Sequence, residues 1–198
     1  MRGLSFQRIR ARRTRHAFTL IELMIVVVII GILSTLAAYG VRKYIANAKT
    51  VEARNALGRM ANAAVIAYEN EKMASPVLGQ GSSTGLTRTL CGAATQTVPS
   101  SASAIAGHKY QSSLADWNTD AATNSGFACL HFTIDEPQYF MYGYAVNGSS
   151  QPGDTFTATA NGDLNGDQIL STFQLTGAIS TSYVINLAPN MLEVNPEE

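Results

Sequence analysis

The chain has 198 residues and a formal net charge of zero. The zero hides an asymmetry, because six arginines and no acidic residue precede residue 17, whereas the sequence from Phe18 onward carries eight basic and fourteen acidic residues, a net charge of −6. Binding to nucleic acid depends largely on Lys and Arg that neutralise phosphates. The acidic sequence from Phe18 onward therefore disfavours a nucleic-acid function, and we predict no nucleic-acid site.

The segment after the arginines is apolar and long enough to cross a membrane. From Phe18 to Val41 the sequence reads FTLIELMIVVVIIGILSTLAAYGV, in which Glu22 is the only charge. A helix of this length reaches about 36 Å, and the hydrocarbon layer is about 30 Å thick. The arginines place the N-terminus in the cytoplasm. A secretory signal peptide is the alternative, but the apolar run is longer than its usual core and no small-residue cleavage site closes it.

The helix is predicted to continue well beyond the apolar segment. The sequence from Arg42 to Ala74 is rich in Ala, Glu, Lys and Arg and has apolar residues at helical intervals. Pro76 and the glycines that follow it are expected to end the helix. We therefore expect one helix of about 57 residues, roughly 85 Å long, whose second half is amphipathic.

A connection and a series of strands follow. Residues 76–126 are mostly Gly, Ser, Thr, Ala and Asn and are predicted to form a long surface connection. Strands are predicted at 127–134, 138–146, 154–160, 169–175 and 182–187, with turn residues between them. The predicted fold class is α+β, with a helical spine packed against an antiparallel sheet of four or five strands. The predicted regions are a leader at 1–17, an apolar half-helix at 18–41, an amphipathic half-helix at 42–75, a connection at 76–126 and a sheet at 127–198.

The boundary between the leader and the apolar segment carries a recognisable motif. It reads His16-Ala17-Phe18-Thr19-Leu20-Ile21-Glu22 and continues as an apolar helix. This resembles the type IV prepilin signature, a basic leader that ends in a small residue before Phe-Thr-Leu-Ile-Glu. The resemblance covers about the first 60 residues and implies a pilin-like fold. It also implies that a prepilin peptidase cuts between Ala17 and Phe18 and N-methylates Phe18. Ala17 stands where the family usually has Gly.

Glu22 is the residue expected to direct assembly. A carboxylate inside a membrane helix is disfavoured by roughly 2.5 to 3.5 kcal/mol, so something must offset that cost. Cleavage after Ala17 would create a cation at the amine of Phe18, and the Phe18 amine of a neighbouring copy would satisfy Glu22 only at the correct stagger. The alternative is that Glu22 serves only the peptidase or is hydrated near the headgroups.

Cys91 and Cys129 are the only cysteines. Because everything after the membrane segment is expected in an oxidising compartment, we predict a disulfide between them, with buried thiols as the alternative. The loop it closes corresponds to about 4 kcal/mol in the chain-entropy model. The disulfide would tie the connection to the strand predicted at 127–134.

Two short patterns suggest chemistry. Asp163, Asn165 and Asp167 place oxygen ligands at alternate positions, as a calcium loop does, but Gln168 stands where an EF-hand needs Gly. A tight hairpin turn and a calcium site of another geometry both stay open.

Gly81-Ser82-Ser83-Thr84-Gly85 matches the hydrolase G-x-S-x-G pattern without the strand and helix that pattern needs. We therefore expect no enzyme and no cofactor other than calcium.

Three functions remain open. The first is a subunit of a type IV pilus, made as an inner-membrane precursor and assembled by the pilus machinery into an extracellular homo-oligomeric filament for adhesion, surface motility or DNA uptake. The second is a pseudopilin of a type II secretion system. The third is a membrane-anchored extracytoplasmic domain, and Glu22 argues against it because a plain anchor has no use for a carboxylate.

Overall fold

A computed structural model describes residues 18–73 and 78–196 of the chain. The chain divides into two compact units, one ending at Arg42 and the other formed by Lys43–Glu198. The leader at 1–17 and the predicted helix stop at Pro76 lie outside the described residues. Among those that are described, a long helix and a five-stranded antiparallel sheet form an α+β fold, which confirms the predicted fold class.

The helix α1 spans Leu20–Glu69 and is 50 residues long. The prediction that it extends to residue 75 is wrong. Its last backbone bond runs from the Asn70 N–H to the Ile66 carbonyl. After it, β1 (Lys72–Met73) pairs antiparallel with β2 (Leu86–Thr87). Because a strand ladder needs extended backbone, this pairing prevents the helix from continuing.

The part of α1 that belongs to the second unit buries one face against the sheet. The buried residues recur at helical spacing, and several are alanines, which let the helix backbone approach the strands closely. They are Thr50, Ala53, Ala56, Leu57, Met60, Ala61, Ala64 and Tyr68. All of them except Thr50 share one core with the buried aromatic side chains of the sheet. The apolar residues predicted at helical intervals are therefore buried from Leu57 to Tyr68, whereas Val41 and Ile45, which belong to the same predicted pattern, are exposed.

The sheet consists of β3 (Phe140–Asn147), β4 (Thr155–Gly162), β5 (Ser171–Ile179), β6 (Ile185–Leu187) and β7 (Leu192–Val194). The first four follow one another as antiparallel neighbours, and β7 also pairs with β5. Alternate residues of β4 are buried, as one face packed on a core requires.

Sequence analysis missed β7. Although its own side chains are exposed, Glu193 binds Arg54 of α1 through two hydrogen bonds of 2.8 and 3.0 Å.

The strand predicted at 127–134 does not exist. Gly126–Leu130 forms a short helix, α3, and His131 ends it with a positive φ of 51°. Phe127, Leu130 and Phe132 are all buried, whereas a strand with only one face on the core would expose either Phe127 or both of the others. A short apolar run does not distinguish a buried strand from a buried helical turn, and here tertiary packing selected the helix.

The connection is more ordered than its composition suggested, so the prediction of a simple surface loop is wrong. It contains the helix α2 (Leu114–Trp117), whose Trp117 is 2% exposed. Trp117 contacts Phe127 and Phe132 edge to face, with ring centroids 5.0 and 5.5 Å apart, and its indole N–H donates to Ser112 at 2.9 Å. One buried tryptophan with its N–H satisfied anchors the connection to the core.

Glu52 joins α1 to the first long strand. Its Oε1 accepts the Tyr139 N–H at 2.9 Å and the Tyr142 hydroxyl at 3.2 Å. Burial raises the pKa of this carboxyl, although these hydrogen bonds and the positive charge of Lys109 oppose the rise. The side chain therefore fixes the strand on the helix while being disfavoured in its charged form.

Candidate functional site: the start of the apolar helix

The first unit presents an apolar surface that nothing in the described chain covers. Every large apolar side chain from Phe18 to Val41 is at least 47% exposed, the value of Val26. Leu20–Glu69 is the one helix in the described residues whose length and composition would allow it to cross a membrane, and the apolar window within it is not buried. Exposed apolar surface on this scale marks contact with a membrane or another protein.

Thr19 and Glu22 form a capping box at the start of α1. The Glu22 N–H donates to Thr19 Oγ1 at 3.3 Å, and the Thr19 N–H donates back to Glu22 Oε2 at 2.8 Å. The Thr19 hydroxyl also donates to Oε2 at 2.9 Å. These reciprocal bonds satisfy donors that the first helical turn leaves without intrahelical partners. The box places Thr19 as the N-cap and Glu22 at the third helical position.

The capping box orients the Glu22 carboxylate and leaves some of its acceptor sites available. Both donors from Thr19 go to the same oxygen of Glu22. An ionised carboxylate has two oxygens and about four acceptor sites, so a further cation can still be bound. The box thus presents a charged group at the first turn of an otherwise apolar surface.

The predicted processing site lies directly before this box. Phe18 is 85% exposed and precedes the N-cap residue Thr19. Ala17, on the other side of the predicted cut, lies outside the described residues. The cleavage and the methylation of Phe18 therefore stay predictions, as does the assembly role of Glu22.

Thr19 is the residue that sequence analysis missed. The signal was present, because a Thr followed three residues later by Glu, directly before an apolar run, is the sequence signature of a capping box. The same four residues belong to the processing motif, so the two signals coincide in the sequence.

The predicted disulfide is confirmed, but it does not join the elements that were expected. Cys91 bonds to Cys129, with Cα atoms 5.7 Å apart, and both residues are buried. Cys129 lies in α3, so the bond ties the connection to this helix and not to a strand. The Gly126 N–H donates to the Gly92 carbonyl at 2.8 Å beside it.

The predicted calcium loop is held together by its own backbone. The two carboxylate oxygens of Asp163 accept the N–H groups of Gly166 at 2.6 Å and Gln168 at 3.0 Å. Asp167 Oδ1 accepts the Ile169 N–H, and the Asn165 amide donates to Asp167 Oδ2. No cluster of three His, Cys, Asp or Glu suited to a metal occurs within the described ranges. Calcium binding stays a prediction.

Comparison with known families supports the processing motif. The profile of the prokaryotic N-terminal methylation motif matches residues 12–38, which include Ala17, Phe18 and Glu22. Searches of curated proteins and of solved structures found no match. The matched segment covers the end of the basic leader and most of the exposed apolar surface. The chain therefore carries the N-terminal methylation signature of type IV pilins and pseudopilins, and this signature overlaps a helix that is long and apolar enough to cross a membrane.

Proposed function

We propose that this chain is a subunit of a type IV pilus, which polymerises through its apolar helix into an extracellular filament. The observation that carries the proposal is the uncovered apolar surface of residues 18–41, which has a single charged group near its beginning. A plain anchor needs the surface but not the charge, and a polymerising subunit needs both.

The apolar surface alone does not specify a filament. Lipid covers it in the precursor, and lipid tails are about as apolar as the side chains of a neighbouring helix. Moving the helix from lipid into a filament therefore yields little hydrophobic free energy. Packing and polar contacts must decide between lipid and filament, which gives Glu22 its importance.

The proposed mechanism begins with cleavage. A prepilin peptidase cuts between Ala17 and Phe18 at the cytoplasmic face and N-methylates the amine of Phe18, which keeps its positive charge. The Phe18 amine of a neighbouring copy then pairs with Glu22, whose orientation the Thr19 bonds support. Losing one partner of a buried ion pair costs about 3 to 5 kcal/mol, so copies that dock at the wrong stagger are disfavoured.

The second unit suits the outside of a filament. Its connection is held by a disulfide, as expected for an oxidising compartment, and by the buried Trp117. We assign the chain no catalysis. Adhesion, surface motility or DNA uptake would follow from assembly, driven by ATPases of the pilus machinery.

The proposal is tested by shearing filaments from cells, imaging them and sequencing the N-terminus of their subunit. We expect abundant fibres whose first residue is N-methylated Phe18. A deletion strain should lose these fibres and keep its exported enzymes. Intact fibres with lost secretion would instead identify a pseudopilin of a type II secretion system, and a chain that still begins at Met1 in the membrane would identify an anchored domain.

A further inference from the structure

A cleft in the second unit has no role in assembly as proposed above. It has a volume of about 320 Å³ and lies between the β1–β2 ladder and the turns that follow β3 and β5. Glu71, Leu86, Thr87 and Arg88 line one side. Small-molecule sites in proteins occupy roughly 300–1,000 Å³, so this cleft has the size for a small ligand.

Tyr183 lines the opposite side in a backbone conformation that tyrosine rarely adopts. Its φ is +57°, and it closes the turn after β5 by donating its N–H to the Ser180 carbonyl at 2.9 Å. Glycine and asparagine suit such a position, and a bulky residue there is an outlier. The side chain is 49% exposed, so burial in the core does not account for the tyrosine.

A second residue of the cleft shares this feature. Ser150 has a φ of +73°, and its hydroxyl accepts the Leu90 N–H at 2.8 Å. Residues held in sparsely populated backbone regions cluster at sites that clamp ligands. Two of the six non-glycine residues with positive φ in the described chain therefore line this cleft.

The two charged residues of the cleft, Glu71 and Arg88, have opposite charges, which favours a ligand without net charge. Arg88 contacts Glu71 through one nitrogen and one oxygen, 3.3 Å apart, and both side chains are nearly half exposed. The two charges balance each other, and their remaining donors and acceptors can bind hydroxyl groups strongly. Thr87 contributes another hydroxyl.

We infer that this cleft binds a neutral pyranose sugar, with the ring of Tyr183 against the apolar face of the sugar and the Glu71–Arg88 pair on its hydroxyls. The negative face of an aromatic ring attracts the polarised C–H groups on one face of a pyranose. A sugar therefore matches a cleft that offers one aromatic ring together with several polar side chains.

The test uses the full chain in micelles of a zwitterionic detergent without a sugar headgroup. Methyl β-galactopyranoside, methyl α-glucopyranoside and methyl α-mannopyranoside are titrated into the millimolar range and followed by saturation-transfer NMR. We expect transfer to the ring protons of at least one glycoside. Tyr183→Asn should weaken this binding at least about tenfold, while its melting temperature stays equal or rises because asparagine suits the positive φ.

Tyr44→Asn is the matched control, since Tyr44 is also an exposed tyrosine and lies outside the cleft. It should bind as the wild type does. Arg88→Gln provides a second variant with an exposed substitution site, and it should weaken binding without changing the melting temperature. Failure of all three glycosides to bind would overturn the inference, as would unchanged binding by Tyr183→Asn or by Arg88→Gln.

Discussion

Replacing Glu22 by glutamine separates the two roles that its position combines. The structure shows Glu22 as the third-position partner of the N-cap Thr19, and the proposed function adds a charge pair with the Phe18 amine of a neighbouring copy. Glutamine at this position still accepts the Thr19 N–H, so the capping box survives. The negative charge is lost.

The two roles differ in magnitude. Loss of an N-cap side chain costs about 1 kcal/mol, which changes an equilibrium roughly fivefold. Removal of one partner of a buried ion pair costs about 3 to 5 kcal/mol, or roughly two to four orders of magnitude. We therefore expect Glu22→Gln to yield few or no filaments, as Glu22→Ala would. Thr19→Val, which keeps the charge and loses the hydroxyl, should reduce the yield only modestly.

The assay compares three quantities for each variant. Immunoblots report cleavage of the leader, mass spectrometry reports methylation of Phe18, and the sheared fraction reports filaments. Cleavage and methylation should be normal in Glu22→Gln, which distinguishes an assembly defect from a processing defect. A processed Glu22→Gln variant that builds filaments at the wild-type level would refute charge pairing. Equal losses in Glu22→Gln and Thr19→Val would show that helix capping is the more important role.

Three further predictions concern the second unit. Replacing Cys91 and Cys129 by serine removes a cross-link across 38 residues, worth about 4 kcal/mol, and should lower the melting temperature by about 8 to 16 °C; a shift below about 3 °C would contradict this. The Glu52 carboxyl has a raised pKa in the folded protein, so the folded state binds its proton more tightly than the unfolded state does. The wild type should therefore lose stability as the pH rises from 4.5, the ordinary pKa of this carboxyl, through the pKa in the folded state. Urea unfolding should thus show that the free energy of unfolding of Glu52→Gln, relative to that of the wild type, is higher at pH 7 than at pH 4. The same difference in free energy at both pH values would contradict this prediction. The carboxylates of Asp163 and Asp167 accept N–H groups but keep further acceptor sites, so calcium bound at this loop should raise the melting temperature at millimolar concentration and a chelator should reverse the rise; an unchanged melting temperature would remove the metal hypothesis and leave the hairpin turn.

Local features decided which elements the sequence predicted well. The apolar run from Phe18 to Val41 needs no tertiary partner to be helical, and its composition indicates a membrane segment. The aromatic and β-branched residues of β3, β4 and β5 and the turns between these strands are also local signals, so those strands were predicted close to their observed bounds. The pairing of Cys91 with Cys129 followed from there being only two cysteines.

Tertiary structure decided what local pattern left ambiguous. Residues 127–132 have apolar side chains that fit either a strand or a helical turn, and packing against Trp117 together with the bond to Cys91 selected α3. The end of α1 at Glu69 depends on the pairing of β1 with β2, which lies in a different part of the sequence. The long-range bond between Arg54 and Glu193 contributes to holding β7 in place. Residues far apart in the sequence make these contacts, and for that reason periodicity and propensity do not predict them.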